Sequence, residues 1–149
     1  MPDINLTQAE GDALLAMEKH RTDERRWAFP GTGGRIEVPL LSVDKREAFL
    51  LDVSRGRIDL LRTKYQNRAR QVIILARLDV SGPPHRNPDG EEIDCPHLHL
   101  YREGYADKWA VPVPLDAFPN SADSWLLLGD FLRFCNITVA PYIDPDLFT

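Results

Sequence analysis

From Arg35 to Val113 the chain is cut every few residues by turn-forming residues, which limits what it can build to short strands and tight connections. The runs are Arg35 to Leu41, Ala48 to Val53, Ile58 to Tyr65, Val72 to Val80 and Trp109 to Val113. They are rich in β-branched and aromatic residues, as pleated, half-buried surfaces require. Spacers such as Ser54-Arg55-Gly56, Gln66 to Arg70 and Gly104 to Lys108 are too short for the crossover that parallel neighbours need, so an antiparallel meander is expected. Trp27-Ala28-Phe29 and Arg35 to Leu41 flank Pro30-Gly31-Thr32-Gly33-Gly34, which predicts a hairpin. Val72-Ile73-Ile74-Leu75-Ala76 is apolar at every position and reads as a central strand covered on both faces. In Ile58 to Tyr65, alternation puts Ile58 and Leu60 on one face with Arg62 and Lys64, so a strand that starts in the core ends with two cations emerging on that side.

Helices are expected at the two ends of this meander. Thr7-Gln8-Ala9-Glu10 fits a capping box, and Leu14, Leu15 and Met17 supply an apolar face, predicting a helix over about residues 8 to 21 with His20 near its carboxyl end. Asn120 or Ser121 should cap a second helix bearing Trp125, Leu126, Leu128, Leu132 and Phe134 and ending near Asn136, followed by a coiled tail. The expected fold class is therefore α+β: an antiparallel sheet of about six to eight strands packed against an amino-terminal and a carboxyl-terminal helix. At 149 residues the chain suits a single domain over residues 1–149.

No apolar run approaches the roughly 20 residues that span a bilayer, and the amino terminus lacks a basic-then-apolar layout, so a cytoplasmic protein with no membrane association is expected. Only Cys95 and Cys135 are present, too few for a disulfide framework, and they read as reduced thiols. Cys95 has no helix start or matched partner in the sequence that would activate it. The net charge of −5 is unevenly spread: Arg55 to Arg86 holds eight basic residues against Asp59 and Asp79, a net of +6, so the remainder carries −11. A locally basic strip of this kind suits a phosphate chain.

That strip runs into a histidine cluster. Three of the four histidines, His85, His97 and His99, fall within fifteen residues. On a strand, His97, His99, Tyr101 and Glu103 share one face and Leu98 and Leu100 the other, so the leucines should face a core and the histidines should face away from it. Residues 81 to 96 read as a long loop with a type I turn at Asn87-Pro88-Asp89-Gly90, and antiparallel pairing of its flanks would bring His85 to His97.

Pro84-His85-Arg86-Asn87-Pro88-Asp89-Gly90, followed by Pro96-His97-Leu98-His99-Leu100-Tyr101-Arg102-Glu103-Gly104 and later Phe131-Leu132-Arg133-Phe134-Cys135-Asn136-Ile137, resembles a family of small bacterial proteins often associated with prophages and mobile elements. The resemblance covers most of residues 46 to 140 and implies a cytoplasmic, mobile-element setting without implying an activity. Locally, His97-x-His99-x-x-x-Glu103 resembles the first metal motif of the cupins, but no histidine follows His99 to supply the second.

Three functions fit these residues. In the first, the chain is a metal-independent, toxin-like endoribonuclease: His97 or His99 is the base, His85 the acid, Lys64, Arg62 and Arg102 stabilise phosphate, and Tyr101 stacks a base. In the second, His97, His99 and Glu103, with His85, hold a divalent transition metal such as zinc, although roughly 13 Å of extended strand separates Glu103 from His99. In the third there is no catalysis, and a protein partner docks on an acidic surface that includes Glu91, Glu92 and Asp94. Against all three stands a purely structural use of the cluster, ordering the long loop against the sheet.

Overall fold

The computed structural model describes residues 5–57, 62–120 and 123–145. Helix α1 spans Gln8–Ala16 and opens on the expected capping box, with Thr7 Oγ1 accepting from Glu10 N and Glu10 Oε1 accepting from Thr7 N. It stops earlier than its apolar face suggested, because Lys19–Arg21 leaves it as a strand, β1. His20 is therefore on a strand, bonded to Glu18 at 2.7 Å, and has no helix terminus to serve.

Strands β2 (Arg26–Ala28), β3 (Arg35–Ser42), β4 (Ala48–Arg55), β5 (Thr63–Ala69) and β6 (Ile73–Asp79) follow. The expected hairpin between β2 and β3 does not form: β3 pairs with β1 and β4. Between β5 and β6 the chain reverses at Arg70 and Gln71, both with positive φ (50° and 69°), so the tight turn lies after Ala69 and Gln66 to Ala69 belong to the strand. The turn carries none of the glycine or asparagine that usually marks it. Of the strand expected over residues 58 to 65, residues 58–61 lie outside the described residues.

The apolar run in β6 has a local cause. Asn67 pairs with Ala76 and Arg68 with Ile74, which leaves Leu75 as the extra residue of a bulge. Leu75 and Ala76 are both fully buried, and the phase of alternation shifts between them. The strand thus needs one apolar cover rather than two, and Arg77 and Asp79 emerge on its other face. Beyond it, β7 (His85–Arg86) and β8 (Glu92–Ile93) form a small hairpin inside the expected loop, and β9 (His97–Leu100) and β10 (Ala110–Pro112) complete the meander.

Helix α2 is Ser124–Phe134, capped by Asp123, whose carboxylate accepts from Trp125 N and Leu126 N. Of the two expected caps, Asn120 instead donates to the buried Asp130, and Ser121 lies outside the described residues. The tail is not coil. It forms β11 (Ile137–Val139), parallel to β1, and β12 (Tyr142–Asp144), parallel to β2. The main sheet has eight strands in the order β10-β9-β6-β5-β4-β3-β1-β11, mostly antiparallel, so the class is α+β.

Both helices cover one face of this sheet. Leu14 of α1 and Leu127, Leu128 and Phe131 of α2 pack with Val38, Leu51, Val53, Tyr65, Leu75, Leu78 and Leu98 to form the core. Lys19 is buried with them, and its Nζ donates to Leu15 O, Met17 O and Cys135 O at 2.7 to 2.9 Å. One ammonium thereby ties the carboxyl ends of both helices to β1, at carbonyls that the helices cannot satisfy themselves. Burial pushes the Lys19 group down to about 8, while the three carbonyl acceptors favour its charged form.

Candidate functional site at the β6–β9 edge

The opposite face of the sheet is polar. Antiparallel pairing of β6 with β9 sets Asp79 beside His97 and Arg77 beside His99, and pairing of β5 with β6 adds Lys64 beside Asp79. Cross-strand partners share a face, so the register alone gathers five ionisable side chains. His97 and His99 do lie opposite Leu98, as alternation requires. They do not face solvent: the two residues are 1% and 0% exposed. The segment with β7 and β8 folds back over them, putting the His85 ring 4.5 Å from the His99 ring and 6.0 Å from the His97 ring, centre to centre.

Asn87 fixes that segment in place. Its side-chain amide donates to Ala110 O and its carbonyl accepts from Ala110 N, at 2.9 and 2.8 Å, so a buried side chain pairs with the edge strand as another strand would. Each imidazole then spends one nitrogen on a backbone carbonyl, which can only accept. His85 Nε2 donates to Lys108 O at 2.7 Å and His99 Nδ1 to Asp107 O at 2.8 Å, while His97 Nδ1 faces Ile93 O at 3.1 Å. The remaining nitrogens of His97 and His99 point at Asp79 Oδ2, at 3.1 and 3.6 Å.

Arg77 closes the cluster. Its Nε donates to Asp79 Oδ1, its Nη1 to Asp107 Oδ2 and its Nη2 to His99 Nε2, at 2.9 to 3.0 Å. Burial works against the Asp79 charge, yet the bond from His97, with His99, Arg77 and Lys64 nearby, holds its carboxyl well below the usual range. Asp79, His97 and His99 are the donor set of a two-histidine, one-carboxylate metal centre, with ligand atoms within 4.8 Å of one another. The fit to an ion is poor. A guanidinium already donates to two of the three groups, Asp79 and His99, and so competes with an ion for their lone pairs. The cluster is an ion-pair network in which Arg77 is the cation.

Above the network opens a pocket of about 240 Å³, lined by Arg62, Lys64, Arg77, Asp79, Ser81, His85, Cys95 and His97, with Pro83 and Pro84 on its rim. The structure thus brings together Arg62, Lys64, His85 and His97, with His99 behind them. It does not bring in Tyr101, Arg102 or Glu103. Pairing of β9 ends at Leu100, and Tyr101 turns to the helix side, where its hydroxyl donates to Leu6 O and accepts from Leu6 N. Glu103 Oε1 accepts from Gln8 N at the start of α1, so it cannot join the histidines. The Arg102 guanidinium lies over the Trp109 ring, 4.2 Å from its centre. Sequence reading missed Asp79, Arg77, Asp107 and Asn87. Only the first two carried a signal, their alternate spacing on a strand expected to pair beside His97.

No curated protein and no solved structure matches the chain. Among the described residues no helix is long and apolar enough to cross a membrane. The sequence profile of a family of unknown function, DUF6978, matches residues 6–137, which takes in both helices, the pocket and every strand up to the first residue of β11. The chain belongs to that family of unknown function.

Proposed function

We propose that the pocket binds the phosphate backbone of RNA and cleaves it without a metal, the ribose 2′-hydroxyl serving as nucleophile. The observation that carries this reading is the joint lining of one pocket by Arg62, Lys64 and His85, with the acid in its floor, Asp79, already neutralised by Arg77. The roles follow from hydrogen bonding. Because His85 Nε2 donates to Lys108 O, Nδ1 is the ring's free acceptor, so His85 is the base that takes the 2′-hydroxyl proton. The exposed Lys64 ammonium protonates the departing 5′-oxygen, and Arg62 stabilises the charge on phosphorus. The O2′–P bond forms as the P–O5′ bond breaks, leaving a 2′,3′-cyclic phosphate and a 5′-hydroxyl. His97 and His99, buried and bonded on both nitrogens, position His85 and do not touch RNA. Such an activity suits the cytoplasmic, mobile-element setting that the sequence motifs imply.

The test is incubation of mixed-sequence RNA with purified protein, with and without EDTA, beside the His85→Ala and Lys64→Ala variants. Cleavage that survives EDTA, ends in a cyclic phosphate and falls about 100-fold or more in His85→Ala is expected. Binding of a non-cleavable 2′-deoxy analogue should fall with salt with a log–log slope near −1.4 for two phosphate contacts, and near −0.7 in Lys64→Ala. A folded protein that neither binds nor cuts RNA overturns the reading. It would move the site to a protein partner docked on the same loop, where Glu91, Glu92 and Asp94 are exposed.

A further inference from the structure

The floor of the pocket holds an arrangement that RNA cleavage does not use. Cys95 Sγ lies 3.4 Å from His97 Nδ1, and Nε2 of the same ring lies 3.1 Å from Asp79 Oδ2. Sulfur, imidazole and carboxylate are therefore in line, with the sulfur on the pocket side. The other neighbours of the ring matter as much. Nδ1 also faces Ile93 O at 3.1 Å, so each ring nitrogen meets an oxygen that only accepts. A ring with a single proton leaves one lone pair against an oxygen, whichever tautomer it takes. A ring with both protons satisfies both oxygens, and the Cys95 thiol is within reach to supply the second. Burial raises the Cys95 thiol, and Asp79 and Asp94 push it the same way, while Lys64 and a backbone hydrogen bond at His97 oppose them. The resting group is therefore a thiol, and His97 Nδ1 takes its proton as the sulfur attacks.

A second feature of the pocket points to a ligand. The Ser81 hydroxyl lines the pocket, is shielded from solvent and has no hydrogen-bond partner. Such a group is a donor waiting for an acceptor. Lys64 and Arg62 set the sign of what enters.

We propose that Cys95, His97 and Asp79 form a nucleophilic triad that deacylates a small ester or thioester bearing a negative group. The Cys95 sulfur attacks the acyl carbon and the carbonyl electrons move to oxygen, where the Ser81 hydroxyl donates to the oxyanion. The tetrahedral adduct collapses to an S-acyl enzyme. The departing alkoxide or thiolate takes its proton from His97 Nδ1. Water then attacks the thioester and gives a proton to the same nitrogen, the carboxylic acid leaves, and the thiol is restored. Asp79 keeps Nε2 protonated throughout and positions the ring. Lys64 and Arg62 bind the anionic end of the substrate.

The probes are 4-nitrophenyl hemisuccinate and 4-nitrophenyl acetate with the full chain, read by nitrophenolate release and by mass spectrometry of the acylated peptide. A burst of about one equivalent, an acyl group on Cys95 and none in Cys95→Ala are expected. Lys64→Ala should remove most of the preference for the hemisuccinate. Alkylation of Cys95 by iodoacetamide, followed against pH, should slow about tenfold in His97→Asn, which cannot take the thiol proton. If His97→Asn does not fold, Cys95→Ala and Lys64→Ala, both changes of side chains that line the pocket, decide the matter. Absence of an acyl group on Cys95, or an alkylation rate unchanged in His97→Asn, overturns the proposal. None of these readouts needs RNA, so the proposal stands or falls separately from the cleavage assay.

Discussion

Replacing Asp79 by asparagine keeps the side-chain volume and removes the charge on which Arg77, His97 and His99 converge. Arg77 Nε and His97 Nε2 each lie about 3 Å from a different carboxylate oxygen, and asparagine has one oxygen where two are needed. Removing one partner of a buried ion pair costs about 3 to 5 kcal/mol. The Asp79 side chain is 10% exposed and that of Arg77 is 22% exposed, so water recovers part of this and the low end applies, about 3 kcal/mol. For a domain of this size that corresponds to a fall of about 6 to 12 °C in Tm. The pH dependence has a definite sign. The carboxyl is held below its unfolded value of about 3.9, so its contribution is fully present above that pH and is lost as the pH falls further. Urea unfolding of both proteins from pH 7 to pH 3 is the assay. The gap between them should be constant down to about pH 5 and shrink below about pH 4. A loss smaller than about 1 kcal/mol at pH 7, or a gap unchanged at pH 3, would refute the view that Asp79 is the charged keystone of the site.

Lys19→Met should keep the buried stem and orphan three helix-end carbonyls, lowering stability by about 2 to 4 kcal/mol in the same urea assay at pH 7. A near-neutral result would mean that water reaches those carbonyls. Gly11→Ala would place a Cβ 2.5 Å from Tyr101 Cδ1, so it should destabilise by about 1 to 3 kcal/mol despite alanine's better helix propensity. Stabilisation by this change would show that α1 does not press on Tyr101. Gln71→Gly relieves a positive φ of 69° in the β5–β6 turn and leaves intact the carbonyl that accepts from Arg68. A gain of about 0.5 to 1 kcal/mol in the urea midpoint is expected, and a loss would contradict the left-handed turn.

The elements that could be read from the sequence are those whose local chemistry and tertiary role agree. The Thr7–Glu10 box started α1 where expected, and alternation in His97 to Leu100 assigned the two faces correctly. Errors arose where tertiary pairing overrode a local pattern. Lys19 to Arg21 directly follows the helical stripe of Leu14, Leu15 and Met17 but is drawn out as a strand because β3 and β11 flank it. The continuous apolar run in β6 hid a bulge, since one extra residue looks the same in sequence as a second buried face. The turn at Arg70 and Gln71 had no glycine to announce it. At the site, alternation could say which side His97 and His99 take but not whether that side is open, because their cover comes from a hairpin held by Asn87. Glu103 failed as a ligand, and Tyr101 as a stacking platform, at the point where strand pairing ended.

The same pairing explains how an acidic chain can present a cationic pocket. Of the positive charges in the strip, Arg68 is spent on Asp52, Arg70 on Glu47, and Arg77 on Asp79 and Asp107. Arg68–Asp52 crosses from β5 to β4, Arg70–Glu47 joins the turns beside those strands, Arg77 and Asp79 share β6, and each match cancels locally. Lys64 and Arg62 stand on the rim of a pocket whose own acid is already matched by Arg77. An anion approaching this opening meets their field before that of the distant acidic residues, since charges more than about 8 to 10 Å away are screened at physiological salt. Net charge therefore describes the solubility of the molecule better than the sign of its site. Both proposed chemistries ask the same thing of this corner: a small anionic group held by two rim cations, against side chains whose protons are fixed by backbone carbonyls.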